Sequence, residues 1–196
     1  NVVVVPGKQL TSGEYRDFAE RLANIDEVDR ALATAHTGAL LYLGSGDVRA
    51  VQVIGVDLNY QAKDSEFRDG LVLQDSKGAI SFKLRDDARE RALEALARGG
   101  REISEQDLPI GIVLGIGVIS QPNELTDEYD RNMVAQQLRS RRRAMILTTI
   151  NRHAVGGDQG RMSSNVKRNI VCWPVDAVET GLHEADTNFV YMPFEQ

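Results

Sequence analysis

The sequence predicts an α+β fold. Three observations carry that reading. Single amphipathic helices alternate with short apolar strands, a glycine-bearing turn joins two strands as a hairpin, and the last third of the chain is almost wholly strand-like. That pattern suits antiparallel hairpins with helices set among them, and not a parallel doubly wound sheet. The 196 residues are enough for one medium domain or two small lobes with a real core.

The elements follow in order. Val2–Val5 reads as a buried strand, stopped by Pro6-Gly7. Residues 12–23 read as a helix: Ser12 or Thr11 can cap it, and Tyr15, Phe18, Ala19 and Leu22 recur at helical spacing. A second helix is expected over Asp26–Ala35, with Val28, Ala31 and Leu32 on one face. Ala39–Leu43 and Val48–Val56 follow as strands, and Gly44-Ser45-Gly46-Asp47 turns between them because glycine accepts positive φ. Val51 and Val53 alternate with Ile54 and Val56, so both faces of the second strand are apolar and it reads as central.

Residues 57–70 are polar and irregular, and Leu71–Leu73 and Ala79–Leu84 are a candidate strand pair across Ser76-Lys77-Gly78. Arg85–Arg98 is a helix of strong helix formers, striped by Ala88, Ala92, Leu93, Ala95 and Leu96 and ended by Gly99-Gly100. Pro109–Leu114 is a buried strand. Thr126 to about Arg141 is a helix with Thr126 as its cap and Met133, Val134 and Leu138 facing inward. Ala144–Ile150, Val166–Val178 and Asn188–Met192 are strands, the second interrupted at Pro174, which has no N–H to give a ladder. Asn151–Asn165 is a polar, glycine-bearing connection between the first two.

Composition narrows the function. Hydrophobic residues are 42% and charged residues 27%, as in ordinary globular domains. A net charge of -6 and a pI near 5.1 speak against nucleic acid as a partner. Cys172 is the one cysteine, which excludes an intrachain disulfide. Set in an apolar strand, it reads as a small buried hydrophobe and a poor thiolate. No stretch approaches the run of about 20 apolar residues that spans a bilayer. The chain begins and ends beside strands, as a loop domain cut from between two membrane helices would.

Catalytic patterns are scarce. His36, His153 and His183 have no second ligand at metal spacing, and no H-E-x-x-H, C-x-x-C or G-x-S-x-G occurs. Gly111–Gly117 reads G-I-V-L-G-I-G, but no Gly-Lys-Ser/Thr follows, so the glycines mark a strand end and a tight passage to the next element. Glu184 and Asp186 lie together in a polar turn, with nothing nearby to separate their pKa values for acid–base work. Arg139–Arg143 reads R-S-R-R-R at a helix end: it complements the macrodipole there, or it meets anionic head groups at a membrane surface.

One stretch carries a family resemblance. In Val175–Pro193, Thr180-Gly181, Glu184, Asp186 and Val190-Tyr191 fall in register, with Glu195 beyond, on a pattern of strand, T-G, polar turn and aromatic returning strand. It resembles the late strand pair of lipoprotein-releasing ABC-transporter permeases (LolC/LolE-like), relatives of the MacB-like and FtsX-like permeases. Three earlier segments keep the same order. Thr37-Gly38 to Val56-Asp57 resembles the family's T-G hairpin ending in V-x-G-I-D, and Pro109–Gly115 its I-I-L-G strand. Gly160-Arg161-Met162 with Ser164 and Arg168 is similar to a projecting hook reading G-R-hydrophobic-P-S-x-R, without the proline. Residues 58–108 and 116–143 depart from the family.

The resemblance implies a two-lobed MacB-like periplasmic core. An α+β lobe would form from both chain ends, residues 1–57 and 170–196, with Val2–Val5 and Phe189–Met192 in one sheet. A β-rich lobe, residues 58–169, would be inserted, with a projecting loop near 151–167. The resemblance also implies a transport module of the bacterial inner membrane, facing the periplasm, with no catalytic, cofactor or metal site of its own. ATP would be hydrolysed by a cytoplasmic ATPase subunit. The expected partners are a second permease protomer, a lipoprotein or other hydrophobic substrate, and a periplasmic lipoprotein chaperone met by Arg161, Met162, Ser164 and Arg168. Two other readings stand beside it: a regulatory domain of an FtsX-like permease controlling a cell-wall hydrolase, and a free-standing enzyme.

Overall fold

The structure, a computed structural model, describes residues 12–28, 31, 34–56, 65–75, 77, 80–97, 107–151 and 166–193. Six strands are present among them: β1 (Ala35–Gly44), β2 (Asp47–Val56), β3 (Ile110–Gly115), β4 (Met145–Asn151), β5 (Val166–Val178) and β6 (Phe189–Pro193). The helices are α1 (Ser12–Ala23), α2 (Ser65–Asp69), α3 (Asp86–Ala97), α4 (Ile116–Ile119), α5 (Arg131–Ser140) and α6 (His183–Asn188). The strands close into one barrel in the order β1-β2-β6-β3-β5-β4, with β4 pairing back onto β1. Two pairs are parallel, β2 with β6 and β3 with β5, and the other four are antiparallel.

Alternation along each strand builds the core. Leu41, Val51, Val53, Ile112, Leu114, Met145, Leu147, Cys172, Val190 and Met192 come from all six strands and form one buried cluster, closed at one end by Val118 of α4. A barrel of this size is filled by side chains and holds no channel. The β1–β2 hairpin turns through Gly44, Ser45 and Gly46, all at positive φ. At Gly111 and Gly115 no side chain fits. A Cβ on Gly111 would strike the Phe82 carbonyl oxygen, and one on Gly115 the carbonyls of Ala185 and Asp186. The glycines of 111–117 therefore serve close packing.

Part of the barrel's outer face is covered. Phe67, Leu71, Ile80 and Phe82 lie over Val113, Val175, Val178 and Tyr191. Helix α5 sets Val134 and Leu138 against Ile116 and Ala177. Helix α3 sets Ala88 and Ala92 against Trp173. In β5 the register slips beside Pro174: Ile112 pairs with Pro174 and Val113 with Asp176, so Val175 has no partner in β3. The interruption expected at Pro174 is this bulge.

Several expectations are corrected. The fold is a mixed closed barrel and not a two-lobed α+β MacB-like core: β3 and β4 complete the same barrel as β1, β2 and β6. Asp26–Ala35 is not a helix: residues 24–27 turn, and Ala35 already pairs with Gly55 in the β1–β2 ladder. Leu71 makes one isolated bridge to Val178, and among the described residues of 71–75 and 80–84 no strand pair forms. Helix α5 starts at Arg131, capped by the Asp130 carboxylate on the Met133 N–H and not by Thr126, and Met133 is exposed. The turn before β6 is a short helix, α6. Val2–Val5, and so its pairing with Phe189–Met192, lies outside the described residues.

Candidate functional site

One side of the barrel presents exposed apolar side chains. The ladders place Val48 opposite Tyr42, Tyr42 opposite Ile146 and Ile146 opposite Val171. These four side chains form one row across β2, β1, β4 and β5. They point outward, because their chain neighbours Leu41, Met145, Leu147 and Cys172 point into the core. They are 53%, 39%, 39% and 44% exposed. The next row runs Ala50, Leu40, Thr148, Asn169, with Leu40 49% exposed and Thr148 Oγ1 bonded to Asn169 Oδ1 at 2.9 Å. Together the exposed apolar side chains offer roughly 400 Å², a patch of the size that marks interaction surfaces.

The chain anchors this wall from below and from the side. Arg141, just past α5, donates to the Leu43 carbonyl at 2.5 Å and to the Arg143 carbonyl at 3.1 Å, fixing the approach to β4 against the end of β1. Burial pushes its guanidinium below the ordinary arginine range, with the nearby Cys172 opposing. Burial also pushes the Cys172 thiol up to about 12. Its Sγ faces the Met145 carbonyl at 3.6 Å inside the barrel, so it is neither nucleophile nor metal ligand.

Two buried carboxylates look like chemistry and prove to be anchors. Asp176 is fully buried on β5. Its Oδ1 accepts from the N–H groups of Val72 (3.1 Å), Leu73 (2.8 Å) and Ala177 (2.7 Å), and its Oδ2 from Gln74 (2.8 Å). Burial raises its pKa above the usual carboxylate range, and the four N–H donors oppose the shift. Asp186, also buried, accepts from the Thr180 N–H (2.7 Å), the Thr180 hydroxyl (2.9 Å) and the Gly181 N–H (3.1 Å). Gly181 has φ +74, where a side chain is disfavoured. Thr180, Gly181 and Asp186 are thus one capped loop that returns β5 into β6. Glu184 is exposed and bonds to none of these groups.

The other sequence candidates scatter. Arg161, Met162, Ser164 and His153 lie outside the described residues. Arg168 is exposed on β5, opposite Thr149. His36 is exposed and contacts Thr34 Oγ1 at 3.2 Å, and His183 is exposed at the start of α6. Among the described residues no group of three His, Cys, Asp or Glu side chains could hold a metal, and no helix is long and apolar enough to cross a membrane.

Sequence reasoning missed the wall and the Asp176 cradle. Asp176 left a signal, being the lone acid in Val171–Val178, where a buried carboxylate needs donors. The wall left none: Ala39–Leu43 is apolar on both faces, so only the pairing shows which face is bare. No family model and no curated protein matches the chain.

Proposed function

We propose that this domain is a contact module of an ABC-transporter permease, on the extracytoplasmic side of the bacterial inner membrane, that receives a hydrophobic substrate such as a lipoprotein. The row Val48, Tyr42, Ile146, Val171 carries the reading. Apolar side chains exposed in one row on a barrel stand against water at a cost, and a hydrophobic partner removes that cost. The Thr180-Gly181, Asp186 and Val190-Tyr191 pattern supports the family side of the reading. Its polar members form the loop between β5 and β6, and both of its strands lie in the barrel. The proposal rests on the wall and on this loop, and not on the family's two-lobed core.

The test is photocrosslinking from Tyr42 and Ile146 in the full-length protein, in its own membranes. Capture of a lipid-modified protein is the expected result, reduced when Ile146→Lys makes the wall charged. Capture of a cell-wall hydrolase or its activator would replace the export reading with the FtsX-like regulatory one. A reading frame with no membrane helices on either side of this segment would end the permease reading altogether.

A further inference from the structure

We propose that the cleft between the start of α3 and the end of α5 binds a phosphate-type oxyanion joined to a small apolar body. The cleft is distinct from the wall. It has a volume of about 430 Å³ and is lined by Leu73, Gln74, Ser81, Lys83, Arg85, Asp87, Arg139 and Val175. That volume lies within the range of small-ligand sites, roughly 300–1,000 Å³. Three cations face one carboxylate there, in a chain whose net charge is -6. The local field therefore opposes the global one.

Its frame is rigid. Asp176 fixes the Leu73 and Gln74 backbone. The Gln74 side chain then clips Ser81, accepting from the Ser81 N–H at 2.8 Å and donating to the Ser81 carbonyl at 3.1 Å. Ser81 Oγ accepts from the Lys83 N–H at 3.0 Å, which orients the strap that carries Lys83 into the cleft.

Arg91 prepares the opposite wall. The free carbonyls at a helix C-terminus would repel an anion. Arg91 occupies two of the carbonyls there, donating to Arg139 at 2.9 Å and Arg141 at 2.7 Å. The same arginine pairs with Asp87, which also pairs with Arg85 at 3.2 Å. Among the described residues that line the cleft, the one carboxylate is therefore held between two guanidiniums. Lys83 and Arg139 line the cleft and are exposed. Leu73 and Val175 give the ligand's apolar part a floor. A phospholipid headgroup and a free phosphorylated metabolite share this chemistry.

The experiment titrates the chain with inorganic pyrophosphate, and separately with vesicles of phosphatidylglycerol or of phosphatidylcholine, at low salt. Saturable binding is expected, weakened about tenfold or more in Lys83→Ser/Arg139→Ser. Arg142→Ser/Arg143→Ser, outside the cleft, is expected to leave it within about twofold. Pyrophosphate binding identifies a free phosphate as ligand. Binding to phosphatidylglycerol vesicles alone, lost in the same cleft variant, identifies the headgroup. Absence of binding to both probes, or equal loss in both variants, overturns the site. Neither result bears on the wall, whose test uses Tyr42 and Ile146.

Discussion

Asp176 offers the sharpest test of how this fold is held. Replacing it with Ala strips acceptors from four N–H groups, but the losses are unequal. Val72 N–H also reaches the Ala177 carbonyl at 3.0 Å and keeps a partner. Leu73, Gln74 and Ala177 each lose the acceptor described for them. At about 1–1.5 kcal/mol for each, Asp176→Ala should cost about 3–5 kcal/mol, a large share of the roughly 5–15 kcal/mol of a typical domain. Asp176→Asn keeps Oδ1, and so the bonds from Leu73 and Ala177. It turns an NH₂ toward the Gln74 N–H, and should cost about 1–3 kcal/mol. The chain's one tryptophan, Trp173 on β5, is buried against Ala88 and Ala92 of α3, so its fluorescence follows urea unfolding directly. The pH dependence has a definite sign. The folded carboxyl titrates above its unfolded value, so the native state binds the extra proton. The stability due to this group is full below the unfolded pKa and declines as pH rises through the folded one. The margin of the parent over Asp176→Asn should therefore widen as pH falls through that window. A loss below about 1 kcal/mol in Asp176→Ala, or a margin that narrows on acidification, would refute this account of the cradle.

Two further outcomes are expected. Asp186→Ala leaves the Thr180 and Gly181 N–H groups without the acceptor that holds the β5–β6 loop, and should destabilise by about 2–4 kcal/mol in the same urea assay. Cys172, with its thiol raised to about 12 inside the barrel, should resist maleimide in native buffer and label fully in denaturant, as read by mass spectrometry.

Local structure was legible where local physics decides it. Helix α1 runs over Ser12–Ala23 as its spacing predicts, and α3 buries Ala88 and Ala92 from the expected stripe. The hairpin at Gly44–Asp47 follows from glycines that accept positive φ. Partnership was not legible. Periodicity tells which faces of β3 and β4 are apolar, but not that β4 closes onto β1. A two-lobed arrangement and a barrel use the same alternation, and long-range pairing alone separates them. Pairing also overrode propensity at residues 26–35, where the end of the β1–β2 ladder claims Ala35 from a weak helical pattern. Asp130 displaced Thr126 as the α5 cap because Asp127, at φ +56, belongs to the preceding loop. Of the site, the basic R-S-R-R-R run was legible as charge. Its division between Arg141, a strut to β1, and Arg139, a cleft cation, required the coordinates.

Closure of the barrel constrains how this molecule can be recognised. Every strand has a hydrogen-bonded neighbour on each side over part of its length, so along those doubly paired stretches no row of main-chain amides awaits an incoming β-segment. Recruitment by strand addition is thereby shut out along those stretches. There a visitor must read side chains alone. Choice of partner then rests on outward residues that can be exchanged without disturbing one backbone bond, so kindred barrels can share a skeleton and differ in whom they hold.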